Sequence, residues 1–219
     1  IGGESTRPGA LAVSVEQELK RVIPLVKAVS RLGKAISVDT SKPEVMKAAI
    51  EAGASMINDV KALQEPGALE VISDSNVEAC LIHMQGKPRT MQHNPQYDDV
   101  VQEVAKFLSD RVETCEKYGI DRERLCLDPG IGFGKTLQHN CNLLANINDL
   151  SVQGLPVLIG VSRKRMFEEL LGLAIDERVQ ASVYTGLLAI SKGAKILRVH
   201  DVKETKQALD IFKAIENKQ

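Results

Sequence analysis

The feature that most constrains this chain is an alternation repeated along its length. A short apolar run ends in polar residues, a loop follows, and a longer stretch then carries apolar residues at helical spacing. Seven runs read as strands: Ile1 to Gly3, Ala35 to Val38, Ser55 to Ile57, Glu78 to Ile82, Leu125 to Leu127, Pro156 to Gly160 and Ile196 to Val199. Parallel strands need long crossovers, usually helical, so repeated strand–helix units predict an α/β class with a parallel sheet. No GxGxxG turn follows an early strand, which weighs against an open dinucleotide-binding sheet. The expectation is a (β/α)8 TIM barrel, incomplete at the amino terminus. Ile1-Gly2-Gly3-Glu4 reads as the tail of a strand, so the first βα unit and the start of the second are expected to lie upstream. One domain is expected over residues 1–219.

The helix signals are local. Ser14 with Gln17 forms a capping-box pattern ahead of Val15, Leu19, Val22, Val26 and Val29, and Pro24 is expected to kink that helix without ending it. Ser41 with Glu44 repeats the pattern before Val45 to Ala52, where Gly53 can stop the helix. Further helices are expected from about Asp98 to Tyr118, Arg163 to Leu171, Glu177 to Lys192 and Val202 to Ile215. The segment Met84 to Tyr97, with Gly86, Pro88 and Pro95, is long for a strand-to-helix loop and is the expected mobile segment.

Composition excludes several classes. A net charge of −1 gives no electrostatic reason to expect nucleic acid or an anionic membrane. With 3% aromatic residues and no Trp, base-stacking platforms are hard to build. No apolar stretch approaches the ~20 residues of a membrane span. Cys80, Cys115, Cys126 and Cys141 lack metal-ligand spacing, so reduced thiols and a cytoplasmic location are expected.

The strand ends carry the chemistry. They read Glu4-Ser5-Thr6-Arg7, Asp39-Thr40, Asn58-Asp59, His83, Asp128, Ser162-Arg163-Lys164 and Arg198-Val199-His200-Asp201. In a barrel these ends share the carboxyl-terminal rim, where active sites sit. Asp39 and Asp128 are acceptors suited to a flat, donor-rich edge, and Asn58 can both donate and accept. Lys164, Arg198 and His200, cationic or able to become so, suit a phosphate or diphosphate. A 2-aminopterin diphosphate satisfies both halves.

Each residue also has a plainer reading. Asp39 could be a turn former before Ser41 and Pro43, and Asn58-Asp59 and Thr6-Arg7-Pro8-Gly9 could be simple turns. The SRK and RVH stretches could be solvated basic residues. The GKT of DPGIGFGKT lacks the full phosphate-loop frame. His83 could be a satisfied structural histidine, and His93 and His139 have no supporting context. Joint placement on one rim is what favours a site.

The stretches IGGESTRPGA, SVDTSKPEVMKAAIEAGASMINDV, LDPGIGFGKT, GVSRKRMF and RVHDV, in this order, resemble the successive motifs of the dihydropteroate synthase family. The resemblance implies a transferase of folate biosynthesis that condenses 6-hydroxymethyl-7,8-dihydropterin diphosphate with 4-aminobenzoate and is a sulfonamide target. It implies pterin contacts at Asp39, Asn58, Asp128 and Lys164, with Asp128 and Lys164 catalytic. It further implies diphosphate contacts at Thr6, Arg198 and His200, and an aminobenzoate loop containing Thr6, Arg7 and Pro8. The cofactor implied is Mg²⁺, whose family Asn ligand belongs to the opening strand motif that this chain lacks. A homodimer through late outer helices is also implied. Arg165 stands where other members can carry a smaller residue, and its role is left open. Two other readings remain: a methyltetrahydrofolate methyltransferase-like barrel, which leaves Lys164, Arg198 and His200 unexplained, and a non-catalytic truncated pterin-binding paralogue.

Overall fold

The computed structural model describes all residues except 8, 87–89 and 217–219. Six strands and eight α-helices alternate in it. β1 (Ser37–Asp39), β2 (Met56–Asp59), β3 (Glu78–Ile82) and β4 (Leu125–Asp128) pair in parallel, in sequence order. β5 (Leu158–Ile159) pairs in parallel with β6 (Ile196–Leu197). A parallel bridge between Leu127 and Val157 joins the two sheets, and a second between Gly2 and Asp39 adds the Ile1–Gly3 segment beside β1. Seven strand positions thus follow one another as in a (β/α)8 barrel. The first is a single bridge rather than a strand.

The helices are α1 (Val15–Ser30), α2 (Pro43–Glu51), α3 (Ala68–Ser73), α4 (Val100–Lys117), α5 (Leu137–Ala145), α6 (Met166–Leu171), α7 (Val179–Ser191) and α8 (Val202–Glu216). α1 starts at Ser14, whose side chain accepts the Gln17 N–H, and it runs through Pro24. α4 is capped by Asp99 and followed by Gly119. The capping box expected at Ser41 and Glu44 does not form. Lys42 is the N-cap, Pro43 occupies the first turn, and the Ser41 hydroxyl is taken by Asp59 instead. Pro43 suits that position because its missing N–H is one that a helix start leaves unbonded anyway. α3 and α5 were not legible as helices: α3 has only six residues, and α5 begins inside a polar stretch, Thr136-Leu137-Gln138-His139-Asn140.

The core follows the two-residue period of strands. Val38, Ile57, Ala79, Leu81, Leu127 and Ile159 belong to the main apolar cluster with helix residues such as Val22, Met46, Val104 and Leu108. Their alternates Cys80, Ile82, Cys126 and Leu158 form a second, smaller cluster with Val60. The four cysteines are free thiols.

Candidate active site

Because alternate residues share a face, the parity that sends Cys80, Ile82 and Cys126 to the smaller cluster also decides which strand-end residues share its side. Asp39, Asn58 and Asp128 line a cavity of about 1810 Å³ together with Thr6, Arg7, Lys164, Arg198 and His200. Every implied site residue among the described ones is therefore brought to one cavity; Pro8 lies outside the described residues. The parity also removes two rim candidates. Asp59 is fully buried on the other face, accepting from Ser41 Oγ, Lys61 N–H (2.9 Å) and Leu63 N–H (2.8 Å). It holds a turn in which Ala62 and Leu63 take positive φ. His83 packs edge-on against Phe107 of α4 and accepts or shares a proton with Lys135 Nζ at 2.9 Å. Both serve the scaffold.

The acceptor wall is largely buried. Asn58 donates from Nδ2 to Asp39 Oδ1 at 2.7 Å, and its Oδ1 is buried without a partner among the described residues. A buried acceptor left open costs free energy, so an N–H donor arriving there relieves it. Asp128 is 5% exposed and accepts the Gly130 N–H at 2.7 Å. Burial pushes its pKa up, against the Gly130 bond and the charges of Lys164, Lys135 and Arg198. It is a carboxylate with electrostatic capacity in reserve for a cation.

Two glycines allow the next loop to lie against β3. A Cβ on Gly130 would stand 1.8 Å from the His83 carbonyl oxygen, and one on Gly134 would stand 2.4 Å from that of Gln85. Between them Phe133 lines the cavity, and Lys164 Nζ sits 4.3 Å from the centre of its ring. Burial lowers the Lys164 pKa to about 8, with Asp128 opposing and Arg198 assisting.

The cationic side is more open. The Arg198 side chain is 55% exposed and pairs across the cavity with Asp39. Such an exposed pair contributes ~0–1 kcal/mol, so a ligand can displace it. His200 receives a contact of 2.9 Å from Ser162 Oγ at Nδ1, and burial together with Arg163 and Arg198 lowers its pKa. The uncharged form is thus favoured in this state, and an anion placed beside it would favour the charged form again, in keeping with a group able to become cationic. Arg163, also a rim candidate, is committed to Asp201 through two bonds of 3.0 and 2.6 Å and clamps the β5 and β6 loops together. Arg165 lines the cavity and pairs with Glu169 at 3.1 Å.

Lys135, Lys42 and Glu18 were missed from the sequence, while Glu4 was among the strand-end residues. Lys135 is 3% exposed, bonded to His83 and to the Phe133 carbonyl oxygen (3.1 Å), and burial lowers its pKa to about 7. The GKT triplet was its signal. Glu4 forms an ionic cluster with Glu18 and Lys42 at the cavity edge, and the latter two carry no sequence signal beyond their charges. Among the described residues no group of three His, Cys, Asp or Glu side chains could hold a metal ion.

A largely buried wall of acceptors facing a basic rim at the strand ends of a parallel, barrel-like sheet fits a pterin-binding class of enzyme. Residues 1–200 match the family described as pterin binding enzyme, and the chain belongs to it. Within that family it belongs with the dihydropteroate synthases. It is 50% identical over 215 residues to the dihydropteroate synthase of Escherichia coli (strain K12), covering 98% of this chain and 76% of that one. The structure of Yersinia pestis dihydropteroate synthase with a sulfonamide drug complex superposes with a TM-score of 0.96 at 47% identity, covering 99% of this chain and 79% of that one. That of the Burkholderia cenocepacia enzyme with 7,8-dihydropteroate superposes with a TM-score of 0.94 at 45% identity, covering 99% and 80%. These likenesses favour the synthase over the methyltransferase-like and non-catalytic readings.

Proposed function

We propose that this cavity condenses 6-hydroxymethyl-7,8-dihydropterin diphosphate with 4-aminobenzoate to give 7,8-dihydropteroate and pyrophosphate, within one barrel domain over residues 1–219. The observation that carries this reading is the unpartnered Asn58 Oδ1 on the same wall as Asp39 and Asp128, a set of acceptors waiting for the N–H edge of a pterin. Lys164, above Phe133, would close the ring site. Arg198, His200 and Thr6 would take the diphosphate, and Arg7 with Pro8 the aminobenzoate.

The chemistry needs no nucleophilic side chain. The methylene C–O bond breaks with its electron pair leaving on pyrophosphate, the amine lone pair forms the new C–N bond, and the amine nitrogen loses one proton to solvent water. Positive charge grows on the pterin methylene and negative charge on the leaving group. Asp128 opposes the first and Arg198 the second, already oriented before reaction. Among the described residues no group of three His, Cys, Asp or Glu side chains could hold the Mg²⁺ that the resemblance implies; a Mg²⁺ held chiefly by the substrate's diphosphate would supply further countercharge to the leaving group.

A cytoplasmic location goes with the free thiols. A homodimer is proposed through α7 and α8, which leave Tyr184, Leu188, Ile211 and Ile215 exposed. The substrates are small molecules, and no nucleic acid or membrane partner is proposed; no helix among the described residues is long and apolar enough to cross a membrane.

Calorimetric titration with the dihydropterin diphosphate, followed by 4-aminobenzoate and a pyrophosphate assay, tests the reading. Lys164→Ala should weaken diphosphate binding about 30-fold, the worth of a ~2 kcal/mol charge-assisted contact. Pyrophosphate should appear only once the amine is added. A folded chain that binds no pterin would overturn the proposal.

A further inference from the structure

Resting on that reading, and deepening it at the aminobenzoate end, the geometry points to Glu4 as the positioning residue of the loop that carries Thr6 and Arg7. We infer that its carboxylate closes this loop at the base and fastens it to two helices. Glu4 follows the Ile1–Gly3 segment, and its Oε1 accepts the Val13 N–H at 3.0 Å, so one side chain joins the two ends of the segment 5–12. Its Oε2 pairs with Lys42, the N-cap residue of α2. Lys42 Nζ in turn bonds Glu18 Oε2 of α1 at 2.5 Å, and Glu18 is fully buried. The loop is therefore fastened to α1 and α2 through one ammonium group.

Bonds within the loop are local: Arg7 N–H to Ser5 Oγ at 3.3 Å and Ala10 N–H to Arg7 O at 3.1 Å. Among the described residues they shape it without fixing it to the barrel. The Glu4 anchor does fix it, and a loop ordered in advance costs the incoming substrate less on binding. Burial of Glu4 is outweighed by Lys42 and the Val13 N–H, which hold its carboxyl below the usual range, so the anchor stays charged at neutral pH. None of Glu4, Lys42 and Glu18 is among the residues assigned above to either substrate. Glu4 acts only through the loop.

The test uses Glu4→Ala and Glu4→Gln in the full chain. Both leave the Lys42–Glu18 pair intact, so no buried charge is stranded. Gln offers one acceptor oxygen to two partners and should fall between wild type and Ala. The expected result is faster amide hydrogen exchange confined to residues 5–13, with KM for 4-aminobenzoate raised about tenfold in Glu4→Ala, as for loss of one contact of ~1.4 kcal/mol. Affinity for a dihydropterin that lacks the diphosphate, and so makes no use of Thr6, should stay within about twofold of wild type, inside ~0.4 kcal/mol. Unchanged exchange, faster exchange without a change in KM, or a parallel loss of pterin affinity would overturn the inference. A wild-type chain that binds the pterin and never consumes 4-aminobenzoate would break the proposed function instead, and the exchange data alone would then decide whether Glu4 anchors the loop.

Discussion

The two sides of the cavity are built differently. The acceptor side, Asp39, Asn58 and Asp128, stands on the hydrogen-bonded strands β1, β2 and β4, and Asn58 and Asp128 are almost completely buried. The cationic side, Arg198 and His200, follows the two-residue strand β6 and is exposed, with Arg198 resting on Asp39 across the gap. The first side has its desolvation and orientation settled before any ligand arrives. The second has its basic groups in place but only loosely directed. A ligand's ring is thus read by a fixed template, and its anionic end assembles its own partners.

The strongest way to break this contrast is Asp128→Asn. The amide keeps an acceptor for the Gly130 N–H, so the fold should persist, while the charge opposing the developing pterin cation is lost. Turnover in the pyrophosphate assay should fall by roughly 10²–10³, the size of a lost preorganised electrostatic contact. Full activity in this variant would show that the fixed side only binds.

A smaller effect is expected on the open side. Arg198→Met should cost less than ~0.5 kcal/mol of stability without ligand, because it removes an exposed ion pair. It should weaken binding of the diphosphate substrate about tenfold and flatten the salt dependence of that binding. Chemical denaturation and salt-series calorimetry read the two halves. A large loss of unliganded stability would mean that the Arg198–Asp39 pair is part of the scaffold after all.

The smallest effect is a pH slope beneath the fixed side. Lys135 has its pKa lowered to about 7 in the folded chain, against ~10.4 when unfolded. Between those values the unfolded chain holds a proton that the folded chain lacks, so stability rises with pH across the window, by up to ~1.4 kcal/mol per pH unit per proton. Lys164 adds to the slope in the same sense over a narrower window above about 8. Lys135→Met should reduce the slope by about one proton between about pH 7 and 10 in denaturation series. An unchanged slope would show that Lys135 keeps its proton in the folded state.

Much of this contrast was legible before any coordinates. The apolar runs, the cap at Ser14 and the glycines after the helices are written in neighbouring residues, and so is the presence of Asp, Asn, Lys and Arg at strand ends. Asp59 and His83 show where that reading fails. Each adjoins a strand end as polar as its neighbour's, and only the strand's register says which of two adjacent side chains faces the cavity. Ser41 shows the same failure for helices: its pattern fits a cap, but Asp59, 18 residues away, competes for the hydroxyl and wins.

By itself, then, the sequence determined the order of the βα units and the kinds of polar groups at their ends, because helix and strand periods are local and survive in a one-dimensional string. Tertiary structure alone decided which of those groups meet: Lys42 with Glu4, Arg163 with Asp201, Lys135 with His83 and Arg198 with Asp39, at separations of 38, 38, 52 and 159 residues. Whether a charge is spent on a scaffold partner or left for a ligand depends on distance and burial. Those are fixed only when the strands come into register and the helices close over them.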